Sequence, residues 1–251
     1  MSVELYNKGD HICVAFRDLV TGEAVQANQF LLIDGEHAAI IDPGGELTYS
    51  RLFMALSKYL NVTGLDYVIA SHQDPDIVAS INKWLVGTDC KVVVPALWER
   101  FIPHFTRPGK LQDRMITIPD AGMRLTLGNI QLMALPAHFL HAEGNFQFYD
   151  PVSKILFSGA LGANLAHSEL DTPVTRISDV IDTMRPFHRR YMNSNKACRY
   201  WANMVRELEI EMIVPQHGRC FAGRAVTELI DWISTLECGL DLMTQDNYRL
   251  P

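Results

Sequence analysis

Histidine and aspartate side chains that could bind a metal ion follow several predicted strands of this chain. Residues 71–77 read Ser-His-Gln-Asp-Pro-Asp-Ile and come directly after an apolar, β-branched run. His72, Asp74 and Asp76 alternate along this segment, so that an extended loop can direct several of them to one point. One imidazole and two carboxylates are suitable ligands for zinc, iron or manganese. The alternative is an ordinary polar turn, because Asp-Pro-Asp is also common loop chemistry.

Two more histidines stand just beyond predicted strands in distant parts of the chain. His141 follows the apolar run 130–134, and His217 follows the run 211–214 within Pro-Gln-His-Gly. Open sheets place reactive groups at the carboxyl ends of strands, where loops converge. Three strand-end histidines together with two aspartates therefore favour one shared metal site over three separate structural histidines. We expect only surface or packing roles for His11, His37, His104 and His167.

The predicted elements that position these residues form two successive groups, each with strands followed by helices. Short apolar runs broken by turn residues predict strands, and the Asp-Gly pair at 34–35 predicts a hairpin. The predicted strands cover residues 12–16, 28–33, 38–41, 65–70, 91–94, 115–118, 124–127, 130–134, 147–150, 154–158 and 211–214. Helical spacing of apolar residues predicts helices at 49–60, 78–86, 174–184, 193–208 and 225–236. The two groups predict an α/β fold of two packed sheets with helices outside, in a single domain over residues 1–251.

The composition is that of an ordinary globular protein, with 48% hydrophobic and 20% charged residues. The net charge of −7 argues against nucleic acid as a partner, because phosphate binding needs a basic face. There is no apolar run of about 18 residues and no basic segment followed by an apolar one, so we expect neither membrane insertion nor a signal peptide. The five cysteines are scattered, which predicts reduced thiols in the cytoplasm rather than disulfides or a thiolate metal site.

The order and spacing of these motifs resemble the metallo-β-lactamase superfamily and, within it, the di-iron domain of flavodiiron proteins. That domain carries HxExDH, a histidine after 63 residues, a bridging aspartate after 18 more, and a final histidine. In this chain the first motif is residues 72–77, and His141, position 160 and His217 follow in the same order. The spacing from the first motif to His141 and the spacing from His141 to position 160 equal those of the flavodiiron domain. The resemblance is closer to the stand-alone oxygen-binding di-iron proteins, which lack a flavodoxin partner. The segments that carry it are 71–76, 137–141 and 187–192.

The resemblance implies an αββα metallo-β-lactamase-type sandwich and a ligand set. If the ligand positions of the flavodiiron domain are carried over one by one, the first metal would be bound by His72, Asp74 and His141. The second metal would be left with Asp76 and His217. The cofactor implied is iron, with zinc as the alternative.

The sequence departs from the flavodiiron pattern at three ligand positions. Asp74 replaces a glutamate, Ile77 replaces the second histidine of the first motif, and Ala160 replaces the bridging aspartate. Stable iron and zinc sites usually have at least three protein ligands, and the second metal would have two. We therefore expect either two irons, or one tight and one weak iron because the bridge is lost. His138 could replace a lost ligand, or it could be an orienting or packing histidine.

Several other residues are candidates for supporting roles around the site. Asp42 resembles a strand-end aspartate of the superfamily and would orient a ligand or loop. Tyr191 could donate a hydrogen bond to an oxygen species, and His188 could contribute a basic rim or begin a solvated helix. Four aromatic residues could shield a bound gas from water or belong to the core: Trp98, Phe101, Phe105 and Phe139.

The leading functional hypothesis is an iron protein that binds dioxygen or another small diatomic molecule, as a sensor or carrier. No flavin or dinucleotide motif is recognisable, so weak reduction of dioxygen or nitric oxide, as a flavodiiron-like oxidoreductase, would need a separate electron donor. One alternative is a zinc-dependent hydrolase of the same fold, in which a metal-bound water attacks the substrate. The other is a non-enzymatic signalling partner with a degenerate metal site. The flavodiiron proteins are head-to-tail dimers, so a homodimer is also open for this chain.

Overall fold

A computed structural model describes residues 2–165 and 172–250 of the chain. Within these two ranges, thirteen strands form two sheets that lie face to face, and helices pack on both outer sides. The αββα sandwich predicted from the sequence is confirmed. No described helix is both long and apolar enough to cross a membrane.

The first sheet has seven strands that lie side by side in chain order. They are β1 (Ser2–Lys8), β2 (His11–Phe16), β3 (Gln29–Asp34), β4 (His37–Ile41), β5 (Tyr67–Ile69), β6 (Lys91–Pro95) and β7 (Met115–Ile118). Strands β1 to β4 pair antiparallel, and β4 to β7 pair parallel. The predicted Asp-Gly hairpin joins β3 to β4, and Gly35 adopts the positive φ of +63° that this turn requires.

The second sheet has six strands in the order β13-β12-β11-β10-β9-β8. They are β8 (Met123–Leu127), β9 (Ile130–Pro136), β10 (Phe146–Asp150), β11 (Ile155–Phe157), β12 (Met212–Val214) and β13 (Phe221–Ala222). Only β11 and β12 pair parallel, and the other neighbours pair antiparallel.

Helices cover the outer face of each sheet. Against the first sheet lie α1 (Tyr49–Leu56), α2 (Pro75–Val78) and α3 (Ile81–Gly87). Against the second lie α4 (Ile181–Tyr191), α5 (Asn195–Val205) and α6 (Arg224–Thr235). In α6 the buried residues Val226, Leu229, Ile230 and Ile233 recur at helical spacing, and this stripe packs on the second sheet.

A third apolar layer fills the space between the two sheets. It is made by alternate residues of facing strands, such as Phe30 of β3 and Phe157 of β11, whose ring centroids lie 5.0 Å apart. Strand β8 shows the alternation directly, because Leu125 and Leu127 are buried while Arg124 and Thr126 are exposed. This layer fixes the two sheets against each other and therefore fixes the loops at their common rim.

Three differences from the sequence-based prediction have local causes. The helix predicted at 174–184 has the wrong bounds: a 3-10 turn occupies Ile177–Asp179, and α4 starts at Ile181 and continues through Pro186 to Tyr191. Within the segment predicted to be a polar loop, Asp74 and Pro75 start the short helix α2, since proline is favoured at the first helical position. Strands β1 and β13 were not predicted, because β1 is a half-exposed edge strand and β13 has two residues.

Candidate metal centre

The loops that follow β4, β5 and β12 meet at one rim of the sandwich. Asp42 accepts hydrogen bonds from the Ser71 backbone N–H at 2.9 Å and from Nε2 of Gln216 at 2.5 Å. Nε2 of Gln216 also lies 2.9 Å from Oγ of Ser71, and the Phe146 N–H donates to the Ser71 carbonyl at 3.0 Å. All three side chains are buried, so this network joins the first sheet to the second directly behind the candidate ligands.

Three of the predicted ligands come together at this rim. Oδ2 of Asp74 lies 3.5 Å from Nε2 of His72 and 3.6 Å from Nε2 of His141. One ligand atom of each residue lies within 4.8 Å of the others. Neighbouring ligands of an ion bound at about 2.1 Å are about 3.0–3.4 Å apart, so only small shifts would bring all three atoms to bonding distance. The residues present therefore fit a metal ion.

The other two predicted ligands form a looser pair. Nε2 of His217 lies 3.8 Å from Oδ2 of Asp76, and the Asp76 side chain is 34% exposed. Nδ1 of His217 donates to the carbonyl oxygen of Gln26 at 2.7 Å. That bond orients the ring so that Nε2, the nitrogen that would bind a metal, faces Asp76.

His72 is oriented in the same way by its own neighbour. Its Nδ1 lies 2.9 Å from Oγ of Ser71, which is also bonded to Gln216 in the network behind the site. Nε2 of His72 is thereby turned to Asp74. Such partners fix the ring orientation of metal-binding histidines. The predicted orienting role of Asp42 agrees with its bonds to Ser71 and Gln216.

The surroundings of Asp74 and His141 favour an ionised carboxylate and a neutral imidazole, respectively. Burial works to raise the pKa of Asp74, but the hydrogen bond and charge of His72, with His141 and His217, outweigh it and lower the pKa. Burial and the nearby His72 lower the pKa of His141. An ionised carboxylate and a neutral imidazole are the forms that coordinate metal.

Two residues of the site hold unusual backbone conformations. His141 has a φ of +92° and Asp42 a φ of +57°, a region that side chains other than glycine rarely adopt. Phe139, two residues before His141, also has a positive φ of +66°. Strained conformations of this kind persist only where the surroundings enforce them, and they cluster at functional sites.

Comparison with known proteins places the chain in a family. A family model described as "ODP family beta lactamase" matches residues 25–218. Two solved structures of chemotaxis sensor ODP, a peroxy diiron species and the apo state from T. denticola, are 37% and 36% identical to this chain. Each covers 96% of this chain and 97% of its own, with a TM-score of 0.86. The chain belongs to the ODP family.

The flavodiiron resemblance seen in the sequence is confirmed as well. A putative diflavin flavoprotein A 4 from Synechocystis sp. is 34% identical over 139 residues, which are 52% of this chain and 22% of that protein. The chain spans half or less of the curated relatives that it matches, from 22% to 50% of their length.

Ile77 and Ala160, the two apolar residues at ligand positions of the flavodiiron pattern, lie in surroundings that differ from each other. Ile77 is fully buried and belongs to the core between the first sheet and its helices. Ala160 lies in the turn after β11, where the Gly159 carbonyl accepts from the Gln216 N–H at 2.8 Å. Position 160 therefore adjoins the loop that carries His217, but its methyl side chain offers no ligand.

His138 is not part of the ligand group. Its Nε2 donates to the carbonyl oxygen of Asp120 at 2.8 Å, and its ring lies edge-on to Phe146 with centroids 5.2 Å apart. These contacts agree with the packing role that was the alternative to metal binding.

Two aromatic residues of α4, Phe187 and Tyr191, lie beside His141. The ring of Tyr191 stacks on His141 with centroids 5.3 Å apart, and Phe187 stacks on Tyr191 at 4.6 Å. Tyr191 is 52% exposed. Of the four residues predicted to form an apolar wall or core, three are substantially exposed: Phe101, Phe105 and Phe139.

The remaining histidines divide between the surface and the interior. His37 is exposed beside Asp66, and His104 is exposed, as expected. His167 lies outside the described residues. The prediction for His188 is wrong, because its fully buried ring accepts a hydrogen bond from the Gly162 N–H at 2.9 Å.

His11 is also buried, between Asp34 and Asp150, an environment that its position at the start of a strand did not indicate. The alternation of His11 with Cys13 on one strand face was the available signal.

Proposed function

We propose that this chain is an iron-containing protein that binds dioxygen or a similar diatomic molecule, as a sensor or carrier. The observation that carries the proposal is the group of His72, Asp74 and His141 at the rim of an ODP-family sandwich. Mixed nitrogen and oxygen ligation suits a ferrous centre that must admit a small ligand. Iron, when bound, supplies a redox-active site with open positions for dioxygen.

The proposed ligands of the tighter iron are His72, Asp74 and His141, with Asp76 and His217 for a second, weaker iron. Two protein ligands without a bridging carboxylate hold a metal poorly, and Ala160 provides no such bridge. Ser71 orients His72, and the Gln26 carbonyl orients His217. Zinc in the same positions is the alternative.

The surroundings of the site favour a small apolar ligand. An almost entirely apolar cleft of about 260 Å³ opens beside Asp76, lined by Val20, Val25, Ala27 and Leu47 among others. Dioxygen has little affinity for water, and an apolar cleft accepts it without loss of hydrogen bonds. Within the tighter group His72 is 3% exposed and therefore shielded, whereas the Asp74 side chain, like that of Asp76, is 34% exposed and reachable from solvent.

A sensing role needs no electron supply, whereas reductase turnover needs a separate donor. The related structures are described as a chemotaxis sensor, and we propose a comparable sensory role with a separate signalling protein as partner. A cytoplasmic location is part of the same proposal, in keeping with five buried free cysteines. That the chain forms a homodimer, and that residues 1–251 form a single domain, are still predictions.

The first test is metal content. Protein purified without added metal is analysed for iron and zinc per chain by elemental mass spectrometry. Iron near one or two per chain supports the proposal, and zinc alone would favour a hydrolase. The anaerobic ferrous protein is then titrated with air-saturated buffer, and we expect an oxygen-dependent change in absorbance.

Two variants make the test specific. Asp74→Asn removes the central carboxylate and should abolish both iron retention and the absorbance change. His37→Gln alters an exposed histidine beside Asp66 and should leave both unchanged. An absorbance response that survives in Asp74→Asn, or its absence in iron-loaded wild type, would refute the proposal.

A further inference from the structure

A second group of metal-ligating side chains lies at the end of the sandwich opposite to the candidate metal centre. His11 begins β2, Asp34 ends β3, and Asp150 ends β10. Strand β10 begins beside Ser71, at the first site, and has five residues. The two groups are therefore separated by roughly the length of that strand, about 15 Å.

His11, Cys13 and Asp150 meet in the space between the two sheets. Nε2 of His11 lies 2.7 Å from Oδ2 of Asp150. Sγ of Cys13 lies 3.7 Å from that nitrogen and 3.5 Å from that oxygen. An ion equidistant from the three atoms would be about 2 Å from each, close to zinc bond lengths of about 2.0–2.2 Å to nitrogen and oxygen and about 2.3 Å to sulfur.

Neighbouring groups already orient the three side chains for such an ion. Oδ1 of Asp34 lies 3.1 Å from Nδ1 of His11, and its Oδ2 accepts from the Asn129 N–H at 2.6 Å. A carboxylate behind the second ring nitrogen is the usual support of a metal-binding histidine. Oδ1 of Asp150 accepts from the Val152 N–H at 3.1 Å. Its Oδ2 faces His11 and Cys13 and also accepts hydrogen bonds from the backbone N–H of Ser153 at 3.2 Å and from the Ser153 hydroxyl, so an ion would share this oxygen with Ser153.

Burial and charge make this position favourable for a cation. Cys13 and Asp150 are fully buried, and His11 is 5% exposed. Nε2 of His11 faces Oδ2 of Asp150, and its Nδ1 faces Oδ1 of Asp34, so two carboxyl groups flank one imidazole ring. A cation at this position would therefore lie beside carboxylate oxygens inside the protein, where a charge needs such partners.

We propose that His11, Cys13 and Asp150 bind a divalent ion of the zinc class, which joins the first sheet to the second. A nitrogen, a thiolate sulfur and a carboxylate oxygen are a donor set that zinc and cobalt accept. Binding releases two protons to solvent, from the Cys13 thiol and from Nε2 of His11, and no atom changes oxidation state. The exposed turns at Gly9 and Gly35 are close in sequence to His11 and Asp34, respectively.

Cobalt(II) distinguishes this site from the first one. The five candidate ligands of the first site include no cysteine, so a thiolate-to-cobalt charge-transfer band reports on a cysteine site alone. We expect the metal-free wild-type protein to develop this band on titration with cobalt, and Cys13→Ser to lose it. The matched control Cys90→Ser changes another fully buried cysteine and should keep the band. No band in wild type, or a band retained in Cys13→Ser, overturns the proposal.

A second measurement leaves the proposed ligands intact. The double variant His72→Gln, Asp74→Asn disables the first site at the opposite rim. After dialysis against zinc and removal of free metal, we expect about one zinc per chain in this variant, measured by elemental mass spectrometry. Zinc-free protein would overturn the proposal even if Cys13→Ser fails to fold. The outcome is independent of iron and oxygen binding at the first site.

Discussion

Protonation of the buried His188 side chain should destabilise the metal-free protein in mild acid. Its Nδ1 donates to the Met184 carbonyl at 2.8 Å, and its Nε2 accepts from the Gly162 N–H at 2.9 Å. Burial lowers the pKa of His188 from 6.5 to about 4. A proton on Nε2 would turn this nitrogen from an acceptor into a donor, and the hydrogen bond from the Gly162 N–H would be lost. The folded protein therefore disfavours protonation of His188.

The size and sign of the effect follow from this difference in pKa. Below pH 6.5 the unfolded chain binds a proton at His188 that the folded chain does not bind until about pH 4. The free energy of unfolding therefore falls as the pH falls through this window, by about 1.4 kcal/mol per pH unit for one proton. Over the whole window the loss is about 3 kcal/mol, and above pH 7 the group has no effect.

Urea denaturation of the metal-free protein at pH 7, 6 and 5 measures this loss. Other groups also titrate, so the comparison is with His188→Gln, which cannot be protonated and whose side-chain oxygen can accept from Gly162. The variant is expected to be less stable at pH 7, and the gap between it and wild type should narrow by about 2 kcal/mol towards pH 5. A gap that stays constant over this range would refute the assignment of a buried neutral imidazole.

Three further predictions concern cysteines and the candidate metal centre. All five thiols are buried, so a thiol reagent should label almost none in the native protein and five after unfolding. Ser71→Ala removes the group that orients His72, and iron affinity measured by chelator competition should fall about 10- to 100-fold. Ala160→Asp should raise iron content towards two per chain while lowering the melting temperature of the metal-free protein, because the new carboxylate is buried without a partner.

The sequence could predict the sandwich and the grouping of the site residues because both depend on local patterns. Apolar runs and turn residues located most strands, and a histidine just beyond a strand end is visible in the chain itself. That strand-end position selected His141 and His217 among nine histidines, and the flavodiiron spacing then agreed for His141. The structure brings His72, Asp74 and His141 together and pairs Asp76 with His217.

The partners of the buried histidines could not be predicted, because they are distant in sequence. His188 follows Pro186, which predicts a helix boundary, yet the helix continues to Tyr191. The hydrogen bond that keeps His188 in the interior comes from Gly162, 26 residues earlier. His11 meets Asp150 across 139 residues, and only the packing of one sheet on the other creates that contact.

The candidate metal centre takes its ligands from loops of both sheets, so its metal affinity depends on how the two sheets are aligned. His72 and Asp74 follow β5 of the first sheet, whereas His141 follows β9 of the second. Metal bonds tolerate errors of about 0.2 Å, while a slip of one residue along a strand moves a side chain by about 3.3 Å. Substitutions in the apolar layer around Phe30 and Phe157 should therefore impair metal affinity well before they unfold the chain.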